Sequence, residues 1–519
     1  MDDLMLPFPV IRDIAIITIL FGIALYFYTT KGFDFFRKRG IKHLPTYPLV
    51  GNIGSYLSGN ANFIDCIIQA YNAFPDQKMV GFYNFNVPSL IIRDPDTIQQ
   101  VLFRDFQHFS EHIFHVDETV DPLFGKTLYA LKGDKWRAMR TTLCPAFTIS
   151  KLRGFFPLLE KCCEDMINYI EDNSNFGRLL IETEEFFSKF NYNVSATVAL
   201  GTEKNTFRND DEEFYKMAQK ATNFIGVQGM KFTLMATFPR LSKFLRIKVV
   251  DEVLTKYFRS LIYDTISSRE VTGTARYDMM QLLIQAKKGT LQDDDLGVTA
   301  ARNKELTDDD ITSQALIFLI TGVITSTSTM GFGAYEIANN EEIQKKLIEE
   351  VDEVRKKHKG ELSYEIIDKM DYLGRVISET LRKWPPGIIA RNCVQPYTIT
   401  DNKNRITFNC DPGAVIYVPT IAIQNDPSYF PNPEEFDPDR FSESRKSEIQ
   451  PNTYIPFGIG PRKCIGVEFS IILAKLVMFH LLSKYTLHVS PKTIQPVELA
   501  SGFMVQAKGG LWINLQRRD

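Results

Sequence analysis

From about residue 60 to 380, apolar side chains recur every three or four positions, as in residues 155–170 and 343–354. That spacing predicts helices with one buried face. Alternation of Val, Ile, Thr and Tyr with polar residues is confined to residues 78–93 and 392–418, between Gly, Pro and Asn, and predicts short strands there. The chain therefore reads as mainly α with a small β-sheet region built from distant parts of the sequence. Residues 287–304, acidic and Gly-containing, read as a loop. Thr307-Asp-Asp-Asp310 then offers an N-cap followed by an acidic first turn. A long helix is expected from Ile311 to Ile337, about 27 residues or roughly 40 Å at the standard rise. No internal repeat stands out.

The amino-terminal pattern is different. Residues 14–28 carry no charge, and the run extends through Thr30, which reaches the lower limit of an α-helical membrane span. Asp2, Asp3, Arg12 and Asp13 precede it, whereas Lys31, Arg37, Lys38, Arg39 and Lys42 follow it, which puts the bulk of the chain on the cytosolic side. No small-x-small cleavage site follows, so an uncleaved anchor is favoured over a secretory peptide. A buried core helix is the alternative. Pro45 and Pro48 fix φ and stop a helix from continuing. The expected organisation is an anchor at 1–30, a basic and Pro-rich hinge at 31–52, and one large domain at 53–519.

Composition narrows the function class. With 519 residues, 44% of them hydrophobic, the chain can bury a large core. Lys plus Arg (60) nearly balances Asp plus Glu (63), a formal charge of -3, which removes the electrostatic attraction that a nucleic-acid-coating protein needs. Seven cysteines without CxxC or framework spacing fit a reducing compartment. Asn193-Val-Ser195 is a glycosylation sequon that goes unused on the cytosolic side.

The most informative string is Phe457-Gly-Ile-Gly460-Pro-Arg462-Lys-Cys464-Ile-Gly466. A ligating thiolate needs a loop that lets backbone approach closely, which Gly458, Gly460 and Gly466 permit while Pro461 stiffens the turn. Backbone donors aimed at the sulfur stabilise it as thiolate, and Arg462 can pair with an anionic group. Inert core filler is the plain alternative for a lone cysteine. A dinucleotide loop fails, because Lys463 occupies the third glycine position. The pattern F-x-x-G-x-R-x-C-x-G resembles the haem-binding loop of the cytochromes P-450, the haem-thiolate monooxygenases.

Further motifs carry the same resemblance over essentially the whole chain. Glu379-Thr-Leu-Arg382 resembles the family's E-x-x-R, whose members share one helix face. Phe436-Asp-Pro-Asp-Arg440-Phe441 resembles the segment whose Arg joins that pair as a buried triad. Trp136-Arg-Ala-Met-Arg140 resembles the W-x-x-x-R that reaches a haem propionate, and Arg391 a further propionate-binding Arg; an ordinary surface arginine is the alternative at each. Thr321-Gly322-Val-Ile324-Thr325-Ser326 resembles the oxygen-binding groove, which implies that Gly322 opens the helix and that Thr325 with Ser326 relays protons. A Thr that bonds back to its own turn is the other reading. Ile324 departs from the pattern, since the family usually has Asp or Glu there to organise a proton-feeding water chain.

The resemblance implies a cytochrome P-450 fold, haem b with Cys464 as axial ligand, and insertion of one oxygen atom from O2 into lipophilic substrates. It also implies a microsomal, single-pass endoplasmic reticulum protein, an NADPH-dependent flavoprotein reductase as partner, and cytochrome b5 as a second donor. Lys132, Lys135, Arg137 and Lys463 are candidates for the docking face. Substrate contacts carried over by position fall at residues 109–124, 224–238, 388–390 and 502–505, and the second stretch can also dip into the bilayer. Asp121-Pro-Leu-Phe-Gly-Lys and Thr141-Thr-Leu-Cys-Pro-Ala-Phe-Thr148 resemble the insect microsomal branch, which implies xenobiotic detoxification.

Three rivals stay open. Ile324 is compatible with a haem-thiolate isomerase or dehydratase that does not use O2. A tethered haem protein that binds ligands without turnover is the second. His108-Phe-Ser-Glu111-His112, with His115 beyond, matches the inverted zinc-protease signature and predicts a metal site if it lies on a helix.

Overall fold

The computed structural model describes residues 8–518 apart from 115, 209–210, 225, 294–297, 300–305 and 403. Helices dominate, and the longest, Asp308–Asn339, crosses the body with most of its side chains buried. Its start is fixed by a capping box: the Thr307 amide donates to Asp310 Oδ2 at 2.9 Å, and the Asp310 amide to Thr307 Oγ1 at 3.1 Å. The helix exceeds the expected span at both ends. The expected loop at 287–304 is corrected in its described part. Helix Met279–Lys288 runs through Lys288 to a left-handed Gly289, and Gln292–Asp293 pairs with Val298–Thr299; 294–297 and 300–304 lie outside the described residues.

Strands form inside both stretches where alternation predicts them, and Ile389–Asn392 forms just ahead of the second. Met79–Asn84, Val87–Ile92, Val415–Val418 and Ile389–Asn392 make one sheet in that order, with Val87–Ile92 and Val415–Val418 parallel and the other pairs antiparallel. Tyr397–Asp401 and Ile406–Cys410 form a separate hairpin. A three-stranded sheet of Tyr485–Val489, Trp512–Arg517 and Arg178–Glu182 is an addition that the sequence pattern did not predict.

Near the amino terminus, Phe8–Thr30 is one continuous helix, and none of its most apolar window is buried. It is long and apolar enough to cross a membrane and fits an anchor. Within the segment that follows, Phe36 and Ile41 are buried. The Phe36 ring sits edge-on to Tyr83 at 5.0 Å, and a Cβ on Gly81 would come within 2.5 Å of it, so glycine at that strand position makes room for the ring. Tyr83 Oη donates to Gly32 O at 3.2 Å from the same side. Asn193 of the sequon is buried, and its Oδ1 accepts from the Thr206 amide at 2.7 Å, which leaves no room for a glycan.

Candidate functional site

A cavity of about 440 Å3 opens beside the long helix, and the cysteine loop forms its floor. The loop is shaped by hydrogen bonds from the Cys464 amide to Phe457 O at 2.9 Å and from the Lys463 amide to Gly460 O at 3.0 Å. Gly460 has φ +77°, and a Cβ there would lie 2.0 Å from Leu102 O, so no other residue fits. Gly458 is also left-handed, at φ +72°. Gly466 corrects the expectation for the third glycine. Its φ is -98°, and a Cβ would only touch Phe147 at 3.8 Å. Its contribution is electronic: burial raises the Cys464 thiol, and the Gly466 amide, then the charges of Arg140 and Lys463, pull it back down.

Trp136 and Arg140 enter the cavity from the helix Gly133–Leu143, one turn apart, and Arg391 enters from the strand Ile389–Asn392. Arg462 lies under the Trp136 ring, 4.1 Å from its centroid. Three of its donors go to main-chain carbonyls, with Nε on Ser110 O at 2.9 Å, Nη1 on Leu128 O at 3.3 Å and Nη2 on Leu131 O at 2.8 Å. Five donors are available, so two are left for an anion. Burial, then Arg391, pushes Arg462 down to about 9. Burial pushes Arg391 down to about 10.

His112, which the sequence reading puts in a zinc signature, lines the cavity beside Arg391. Arg391 Nη1 lies 3.1 Å from His112 Nδ1. Because a guanidinium only donates, Nδ1 accepts and the imidazole proton sits on Nε2. Burial first, then Arg391 and Arg462, hold His112 well below the usual imidazole range. Its ring stacks on Tyr129 at 4.3 Å, and both residues line the cavity. The zinc reading is thereby corrected. His108 ends a single 3-10 turn and the chain from Ser110 is not helical, so the i, i+4 face is missing. Glu111 Oε2 pairs with Lys132 Nζ at 2.9 Å instead. Among the described residues no group of three His, Cys, Asp or Glu is placed to hold a metal ion, and His115 lies outside the described residues.

This donor set fits a flat group with a metal over the sulfur and carboxylates at one edge. Arg140 has no hydrogen-bond or ion-pair partner among the described residues, and the Trp136 indole N–H makes no hydrogen bond there. Arg391 Nε is buried without a partner. Burying cations without counter-charges is costly, and an anion among them removes the cost.

The long helix supplies the opposite wall through Thr321, Ile324, Thr325 and Ser326. It is not interrupted at Gly322, which corrects the expectation of an opened helix; a Cβ there would meet nothing within 4 Å. Thr325 Oγ1 donates to Thr321 O at 2.8 Å, the back-bonded arrangement. Apolar residues close the rest, among them Phe114, Phe124, Phe232, Ile388 and Phe503. Each of the four stretches expected to meet substrate contributes to that lining, although Phe109 is fully buried in the core outside it.

Behind the cysteine loop, Glu379 and Arg382 are wholly buried. Arg382 Nε donates to Glu379 Oε2 at 2.9 Å and Nη2 to Oε1 at 2.8 Å, while Arg440 Nε stands 3.4 Å from the same Oε1. Burial pushes the Glu379 carboxyl up, and Arg382, the Asp437 amide and Arg440 oppose that. Arg382 also donates to Gln424 O and Glu435 O, which ties the helix Asp371–Lys383 to the segment leading into the loop.

Comparison with known proteins agrees with this geometry. The family model Cytochrome P450 matches residues 42–513. The chain is similar to Cytochrome P450 9e2 of Blattella germanica, 36% identical over 95% of this chain and 96% of that protein. It is also similar to Probable cytochrome P450 9f2 of Drosophila melanogaster, 36% identical over 96% of this chain and 99% of the relative. Cytochrome P450 6k1 of Blattella germanica is 32% identical over 95% of each chain. With the family model matching nearly the whole chain and relatives above 30% identity covered almost end to end, the chain belongs to the cytochrome P450 family and is a haem-thiolate monooxygenase.

Proposed function

We propose that this protein oxidises lipophilic foreign compounds at the endoplasmic reticulum membrane, with the body on the cytosolic side and electrons drawn from an NADPH-dependent flavoprotein reductase. The observation that carries the reading is the apolar cavity whose floor is Cys464 and whose rim is cationic. In this reading Cys464 would hold the haem iron, and Trp136, Arg140, Arg391, Arg462 and His112 Nε2 would hold the haem carboxylates. Bound there, haem supplies activation of O2, with thiolate electron donation favouring O–O cleavage. Phe457 and Gly460 would keep the loop close to it, and the Gly466 amide would favour the Cys464 thiolate. Thr325 Oγ1 and Ser326 Oγ move the protons that the reaction consumes, once Thr325 turns from its back-bond to Thr321 O. Phe114, Phe124 and Phe232 exclude water and select lipophilic ligands.

The exposed cations Lys135 and Arg137 support a docking face for the reductase, and for cytochrome b5 as second donor, on the helix that carries Trp136. Exposed Val227, Met230 and Phe244, on the helices Val227–Thr237 and Pro239–Phe244, support contact with lipid beside the cavity. The full chain, reconstituted in vesicles with an NADPH-dependent flavoprotein reductase, is expected to turn over several members of a mixed lipophilic panel, with one oxygen atom added per product. Conversion that runs without NADPH and O2 would overturn the reading in favour of an isomerase or dehydratase. NADPH oxidation with no product from any panel member would favour the tethered binding protein.

Ile324 sits in the cavity wall at the position where the family usually has an acid. An alkyl side chain cannot organise a proton-feeding water chain, so monooxygenation is retained with poorer coupling. Ile324→Glu is expected to raise product formed per NADPH consumed severalfold. An unchanged ratio would show that Thr325 and Ser326 suffice.

A further inference from the structure

The turn that carries Phe503 and Met504 into the cavity wall is bridged by a residue 438 positions away from Ala500 in sequence. Asn62 is fully buried and does not line the cavity. Its Oδ1 accepts from the Ile64 amide at 2.9 Å, which caps the helix Phe63–Asn72. Its Nδ2 donates both to Ala500 O at 2.7 Å and to Met504 O at 2.9 Å, the two ends of the turn. The middle is held as well: the Phe63 amide donates to Gly502 O at 2.9 Å, and the Phe63 ring stacks on Phe503 at 4.5 Å and 10°. From the long helix, Ser328 Oγ donates to Val505 O at 3.1 Å.

A carboxamide is the side chain of this size that offers one acceptor and two donors in a single plane. Here all three are used, and the two donors bridge the Ala500 and Met504 carbonyls inside a turn whose base is closed by the Ala500 amide on Gln506 O at 2.8 Å. We infer that Asn62 is a positioning residue for the monooxygenase reaction: by clamping Ala500 to Met504 it fixes the Phe503 ring, and so sets which carbon of a lipophilic substrate faces Thr325. The inference rests on the reading of the Phe503 turn as a substrate wall. Loosening the clamp leaves the cysteine loop and the cation rim untouched, because Asn62 contacts neither. Its effect therefore falls on substrate orientation and not on haem retention.

The test uses the full-length holoenzyme and two variants. Asn62→Asp keeps the acceptor that caps the helix and removes both donors; Asn62→Ser keeps a neutral cap without the reach. Amide hydrogen exchange across residues 499–507 is expected to quicken about tenfold in both, the scale of losing two hydrogen bonds. The ratio of products from one substrate with two oxidisable carbons is expected to shift, and KM to rise more than kcat. Haem content and the reduced carbon-monoxide spectrum are expected to stay as in the parent. Unchanged exchange in both variants overturns the clamp, and so does loss of haem in both. Phe503→Ala separates the two layers of the argument. If it shifts the product ratio while neither Asn62 variant does, the role of Asn62 is overturned; if it too leaves the ratio unchanged, the substrate-wall reading fails.

Discussion

Replacing Arg382 with alanine is expected to cost about 3–5 kcal/mol of stability, the scale of removing one partner from a buried ion pair. Glu379 would then sit wholly buried with only Arg440, at 3.4 Å, and the Asp437 amide to answer its charge. The main-chain oxygens of Gln424 and Glu435 would lose their donors in the same step. For a domain with a stability of roughly 5–15 kcal/mol this is a large fraction, so the variant should accumulate with little haem. Arg382→Lys restores the charge without the fork and should recover only part of the loss. Chemical denaturation of both against the parent measures the effect. An Arg382→Ala midpoint equal to the parent's would show that the pair contributes no more than a solvated surface contact.

Cys464→Ala is expected to abolish turnover and the red-shifted reduced carbon-monoxide band that thiolate ligation gives. The change is clean because the loop is held by main-chain bonds: the Cys464 amide still reaches Phe457 O, and Gly460 still fits beneath Leu102 O. Loss of the band with a near-parental far-ultraviolet circular dichroism spectrum would trace the effect to one sulfur atom. A variant that keeps its pigment and full rate would refute the assignment of Cys464. The cation rim should then hold haem weakly at best, since two buried guanidiniums and a neutral imidazole bind only the carboxylate edge.

Much of this is legible in the sequence alone. The capping box at Thr307 and the glycines of the cysteine loop are local signals, and local signals survive in a single sequence. The helix Val467–Lys484 is buried on nearly all sides from Ile472 to Leu482, so its pattern carries no single face to read. The sheet that joins Trp512–Arg517 to Arg178–Glu182 pairs residues more than three hundred positions apart, and Leu180 on its edge is exposed, which erases clean alternation. His112 was misread for a related reason. Its spacing from His108 suggests a shared helix face, yet the partner that fixes its tautomer is Arg391, 279 residues on. A basic residue that precedes the Trp136 motif and faces apolar neighbours was the available signal. Asn62 caps the helix Phe63–Asn72, but nothing nearby in sequence points to Ala500 or Met504.

The socket for Phe36 has a consequence for how far the enzyme can stray from lipid. Six peptide units separate Thr30, the last residue of the exposed apolar helix, from the ring wedged beside Gly81. Fully stretched they reach about 20 Å, and the bond from Tyr83 to Gly32 O shortens even that. With the helix in a bilayer, the catalytic body would be on a short leash: Phe36 could stand no more than about 20 Å from the end of that helix, so the distance of the body from lipid would be set by chain length and not by diffusion.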